Sequence, residues 1–389
     1  FPLPQVNGFV VSGDEGIGDE FAFPPETGQE LRRDGYTVPF GASYSPGRER
    51  EFADHAMQVL DRRRRALRLL FSDGRWEFGM LTLHLYGELS HAFGKFYDPG
   101  HPEYRPARAV FDGRDPLQET LETIDAMLGE IIELAGPRGL VLFIGAWGHR
   151  LAHSRVHLNA VLEQEGYLQF RHSARTRFKR LMFRAGVTAG TAERLARRLN
   201  LYKPFHYKLG RGQRAKVTGA AFLSYEDVDW GRTRAVAMGY LGQIYLNVRG
   251  HRPLGTIPPE RYHAVRDRVQ RTLGDLRDPR TGEAMVDRVF TRDEIYRGPE
   301  VTHAPDLVVE WKAGYCGDAG ISGAGKIVTP SPPNYSSDHW NQSVLLALGA
   351  GVRPGELSAT LEDIAPTVLE ALGVSAPPEL DGKALPLSW

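Results

Sequence analysis

Glu88 and His91 stand three residues apart, which puts a carboxylate and an imidazole on one face wherever that segment is helical. Those donor types suit zinc or another first-row divalent ion. Taken alone, the pair reads first as a surface Glu beside a half-buried His. Further on, His149, His153 and His157 recur at four-residue steps. On a helix they form an imidazole stripe of the kind that binds zinc. Gly148 favours a loop at the start of that run, so a polar surface face is the first reading and a metal site the second. Late in the chain His339 follows Asp338, a carboxylate that either orients the imidazole from behind or forms a turn. Between these groups lies Gly145-Ala146-Trp147-Gly148, and neither Ala146 nor Trp147 has a lone pair to offer a metal.

The elements that must position these side chains alternate in type. The first 45 residues, rich in Gly, Pro and acids, read as loops with short extended pieces. A 3.6-residue apolar period predicts a helix over 48–71, with the run Arg62-Arg63-Arg64-Arg65 as its solvated face. The apolar stretch 78–86 has the composition of a buried strand, and 139–144 reads as another. Asp115 followed by Pro116 starts a helix that runs to about residue 135. Helices are also expected at 158–162, 175–183, 191–199, 259–276 and 361–372, with extended pieces at 220–223, 242–248, 306–311 and 343–348. The alternation predicts an α/β fold: a mostly parallel central sheet with helices on both faces. In such sheets ligands gather beyond the carboxyl ends of the strands, which here places Glu88, His91 and the 145–149 loop together. The Gly/Ser/Pro-rich stretch 317–335 is an active-site loop or a surface linker.

Composition narrows the class without naming it. Lys plus Arg and Asp plus Glu both number 48 in 389 residues, so no global field points to nucleic acid or membrane. Charge is uneven, however: from Arg171 to Lys216 the only acid is Glu193. Interleaved aromatics such as Phe170, Phe178, Phe183 and Tyr202 raise a nucleic-acid reading, although no nucleic-acid motif accompanies them. Cys316 is the single cysteine, which excludes an intrachain disulfide and thiolate-rich metal sites. No apolar run reaches the roughly 18–20 residues of a membrane helix, and the expected compartment is the cytoplasm.

Several segments resemble the alkaline phosphatase superfamily, in the branch of type I phosphodiesterases and nucleotide pyrophosphatases. Asp227-Val228-Asp229-Trp230, Thr233-Arg234-Ala235 and Tyr245-Leu246-Asn247 are similar to its signature, as are Ala304-Pro305-Asp306-Leu307 and Asp363-Ile364-Ala365-Pro366-Thr367. His101 in Asp98-Pro99-Gly100-His101-Pro102 matches a loop of the family and is expected to be structural. The resemblance implies hydrolysis of phosphorylated small molecules by two metals about 4 Å apart, with a Ser or Thr nucleophile. It assigns His91 and His339 to one metal. The Asp of that set falls on Gly87, so Glu88 takes the role by a one-residue shift. The second metal's Asp and His fall on Ala146 and Trp147, and His149 is a substitute two residues on. At most one well-held divalent ion, zinc, is therefore expected. The resemblance places the nucleophile upstream of Phe1, and reads 1–389 as one domain lacking its N-terminal strand, with 151–216 as a basic helical insertion or lid. Impaired hydrolysis is the leading expectation, an anion- or protein-binding pseudoenzyme the alternative, and nucleic-acid association the weakest.

Overall fold

A computed structural model describes residues 4–12, 21–38, 40–42, 44–188, 191–192, 219–239, 242–321, 323–349 and 351–387. The helices are α1 (Pro25–Arg33), α2 (Glu49–Phe71), α3 (Leu85–Phe93), α4 (Ala107–Val110), α5 (Pro116–Ala135), α6 (Leu158–Gln164), α7 (Ala174–Arg184), α8 (Tyr262–Gly274), α9 (Arg292–Ile295) and α10 (Ile364–Ala371). The strands are β1 (Val10–Val11), β2 (Ala22–Phe23), β3 (Leu140–Ile144), β4 (Gly148–His157), β5 (Ala235–Ala237), β6 (Gln243–Leu246), β7 (Val286–Thr291), β8 (Leu307–Trp311), β9 (Gly314–Asp318), β10 (Val328–Pro330), β11 (Ser337–Trp340) and β12 (Leu345–Gly349). Two compact units divide the chain: 1–151 with 332–389, and 152–331. The mixed α/β class is as the alternation predicts.

In the first unit, α2 buries Phe52, Ala53, Ala56, Val59, Leu60 and Leu67 at helical spacing, against Leu89, Phe93 and Met127 of neighbouring helices. Asp115 caps α5 as expected, its Oδ1 accepting the Gln118 amide at 3.1 Å. The arginine run of α2 is not simply solvated. Arg64 donates to Glu130 of α5 at 2.6 Å, and Arg63 stacks over the Tyr36 ring 4.2 Å from its centroid. These cations lie half-buried, their stems covering apolar surface while their heads find partners.

The expected strand at 78–86 does not form. Residues 78–84 are irregular and open, with Met80 77% exposed, and α3 begins at Leu85. From there Leu85, Leu89, Ala92 and Phe93 recur at helical spacing and are buried. Phe93 sits among Phe52, Phe96 and Phe111, with ring centroids 4.9–5.9 Å away. Burying that face fixes which residues of α3 look outward.

A mostly parallel central sheet is likewise not what the described residues build. Their ladders are short, and β4 with β9 is the one parallel pairing between these strands. β3 pairs antiparallel with β12, and β4 pairs antiparallel with β11 and with β10. Sequence composition marks a strand without marking its partner, and with 78–84 open there is no parallel neighbour at that position.

The second unit has an antiparallel sheet ordered β5-β6-β8-β7, with Val269 and Leu273 of α8 in its core. The signature motifs turn out to be its internal polar fasteners. Asn247 donates to the carbonyls of Trp230, Thr233 and Leu254 at 2.8–3.0 Å. Asp306 accepts the Leu246 amide at 2.6 Å and the Tyr262 hydroxyl at 2.8 Å. Asp227 pairs with Lys179 of α7 at 2.9 Å, both buried, so one cation of the basic segment is structural. Helix α7 matches the expectation at 175–183, with Ser173 as its N-cap. Residues 193–216 of that segment, including the expected helix at 191–199 from residue 193 on, lie outside the described residues, and 219–221 is helical where 220–223 was expected to be extended.

Candidate metal centre

Three imidazoles converge in the first unit. Strand register sets His149 of β4 directly opposite His339 of β11, so both side chains rise from the same face. His91, on the outward side of α3, comes down between them. Its Nε2 lies 3.1 Å from Nε2 of His339, and one ligand nitrogen from each of His91, His149 and His339 lies within 4.8 Å of the others. Among the described residues this is the one group of three or more donors that could hold a metal.

Ser337 fixes which nitrogens face inward. Its carbonyl accepts from Nδ1 of His91 at 2.7 Å. Its hydroxyl donates to the Ser90 carbonyl at 2.8 Å, leaving Oγ to accept from Nδ1 of His149 at 3.2 Å. With both Nδ1 atoms so committed, the rings turn Nε2 to the centre, as metal-ligating histidines do. Burial, reinforced by the charges of His91 and His339, pushes the His149 imidazole down to about 4. Burial, then His91, also lowers His339. Near neutral pH these two rings are therefore bases ready to coordinate. Two nitrogens 3.1 Å apart match the edge of a tetrahedron with metal–nitrogen bonds of about 2.0–2.1 Å. The residues present fit a divalent ion.

Tyr335 and Asp338 brace the cluster from behind. The Tyr335 ring stacks on His91, centroids 4.7 Å apart and planes 14° from parallel. Asp338 accepts from the Tyr335 hydroxyl at 2.6 Å and from the His339 amide at 2.8 Å. It reaches His91 through Tyr335, and acts on His339 through the backbone amide and by its charge, which opposes the lowering of that ring.

The chain matches the type I phosphodiesterase / nucleotide pyrophosphatase family over residues 22–329. It belongs to that family. No curated protein and no solved structure matches it.

The structure brings His91 and His339 together with His149, the substitute two residues beyond Trp147. Glu88 stays on the exposed side of α3 and is not one of the cluster. Gly87 is nearer: a Cβ built there would stand 3.6 Å from Nε2 of His149. Trp147 also lies at the centre, its ring centroid 4.7 Å from that of His339. The histidine stripe is a strand and not a helix, so His153 and His157 are separated by about 13 Å along β4 and neither joins the cluster. His101 is buried, its Nδ1 accepting the Glu103 amide at 2.9 Å, a structural role as expected. Sequence reasoning did not single out Tyr335, the last residue of the 317–335 stretch, or Ser337 just beyond it. No described helix is long and apolar enough to cross a membrane.

Proposed function

We propose that this chain is a phosphate-ester hydrolase of mononuclear type, its single divalent ion held by His91, His149 and His339. The observation that carries this reading is the convergence of three imidazoles, two of which, His91 and His149, have their Nδ1 atoms tied back by Ser337. Zinc is the metal we assign, since three histidines with room for an exogenous ligand are the donor set of catalytic zinc. When bound, the ion supplies Lewis-acid polarisation of a phosphoryl oxygen. The chain's part is to hold three imidazole donors in place, with Tyr335 and Asp338 bracing two of them. Family membership supports a phosphorylated small molecule as substrate. Ala146 and Trp147 offer no donors for a second ion, so the in-line clamp of a two-metal site is not available from them.

That same loss favours a second reading, a binding module that retains the centre without turnover. Metal content per chain, followed by turnover of an aryl phosphodiester, separates the two. One zinc per chain with slow, zinc-dependent turnover is the expected result. One zinc without turnover selects the binding module, two ions overturn the mononuclear assignment, and no uptake overturns both readings.

A further inference from the structure

The exposed indole beside the cluster bears on which ligand it accepts. Trp147 is 44% exposed, unusual for the largest apolar side chain, and it stands just ahead of β4, two residues before His149. Its ring lies against His339, tilted by 41°. The backbone beneath it is pinned. The Gly145 amide donates to the Val344 carbonyl at 2.8 Å, and a Cβ at Gly145 or Gly148 would collide with Ser343 or with the Gln342 carbonyl. The 145–148 turn therefore lies tight on 342–344, and the indole cannot withdraw by a shift of its own backbone. Ala146 before it is too small to screen it.

We propose that Trp147 is an aromatic wall of the metal centre, selecting phosphate or phosphonate ligands that carry a flat aromatic group next to the phosphorus. This rests on the zinc assignment above. An anion drawn to the three histidines has its substituent beside the indole. A planar ring there stacks offset or edge-on and leaves less apolar surface in water, whereas a methyl group gains little. Trp147 is thus a specificity residue, and it takes no part in bond making.

The test uses the full chain loaded with zinc, and reads binding rather than turnover. Zinc uptake is titrated first, then phenylphosphonate and methylphosphonate by calorimetry. The wild type is expected to bind the phenyl compound about tenfold more tightly, the upper end of what one aromatic contact supplies. Trp147→Ala should bring the two ligands to within about twofold while zinc and methylphosphonate affinities stay put, and Trp147→Phe should restore most of the preference. An alanine variant that keeps the preference overturns the wall. So does one that weakens zinc or both phosphonates alike, since Trp147 then only packs against His339. A wild type that takes up zinc but does not distinguish the ligands overturns the wall alone; one that takes up no zinc overturns the metal reading beneath it.

Discussion

A Cβ placed on Gly87 would stand 3.6 Å from Nε2 of His149. Gly87 is also the position on which the sequence resemblance lets the family's aspartate fall. The third residue of α3 accepts a carboxylate well, since the helix N-terminus favours negative charge. Gly87→Asp should therefore add a charged donor to the three imidazoles. Even at an effective dielectric of about 20, an anion about 4 Å from a divalent ion gains several kcal/mol before desolvation. Zinc affinity, measured by competition with a chromophoric chelator, is expected to rise at least tenfold, roughly the scale on which ligand-shell changes act. An unchanged affinity would mean that the ion does not sit among these nitrogens.

Ser337 is the second lever. Ser337→Ala removes the oxygen that meets Nδ1 of His149 but leaves the carbonyl that meets Nδ1 of His91. His149 then loses the partner that selects its tautomer. Zinc affinity should fall by about 10- to 100-fold. Stability should fall by only about 1 kcal/mol, for the lost hydrogen bond to Ser90. Chemical unfolding of the metal-free protein checks the second figure, and calorimetric zinc titration the first.

How much of this was legible beforehand follows from how local each signal is. The period of α2 and the Asp115-Pro116 start of α5 are written within a few residues, and both helices form where expected. His91 and His339 were singled out from the segments around them, and the structure places the two rings side by side. The pairing of His149 with His339 was not, because it depends on the β4–β11 register, and register is set by contacts between distant segments. Glu88 illustrates the converse. Its spacing to His91 is right for one helical face, but burial of Leu85, Leu89, Ala92 and Phe93 turns that face so that only His91 reaches the cluster. The apolar run at 78–84 carried the composition of a strand without an edge to pair with, and composition alone cannot distinguish those cases.

Lys179 and Asp227 form a buried pair at 2.9 Å, joined by the Gly219 carbonyl, which accepts from the same ammonium at 2.6 Å. Removing one partner of such a pair leaves a charge in a poorly solvated place. Asp227 retains the Ser224 amide at 3.1 Å, which softens the loss only in part. Lys179→Met is therefore expected to cost about 3–5 kcal/mol of stability. Lys179→Met with Asp227→Leu should recover much of it, as apolar replacement of a buried pair often does. Denaturant unfolding of the two variants decides whether this cation of the basic segment serves the fold or a ligand.

His157 gives the protein a stability that depends on pH. Burial lowers its imidazole pKa, against a smaller opposing pull from Asp318, while its Nε2 is bonded to Thr329 at 2.8 Å. In the unfolded chain the ring titrates near its ordinary value of about 6.5. Below that pH the unfolded state binds the proton and the folded state resists it, so the unfolded state gains protons first. Stability is then complete above the ordinary imidazole value and is lost as pH falls beneath it, until the folded ring also protonates. His157→Gln keeps a side-chain donor for Thr329 but has nothing to titrate. Urea unfolding of the metal-free protein from pH 7.5 to 5 should show a decline in the wild type that is flatter in the variant. Equal slopes would show that His157 is already free to protonate in the folded protein.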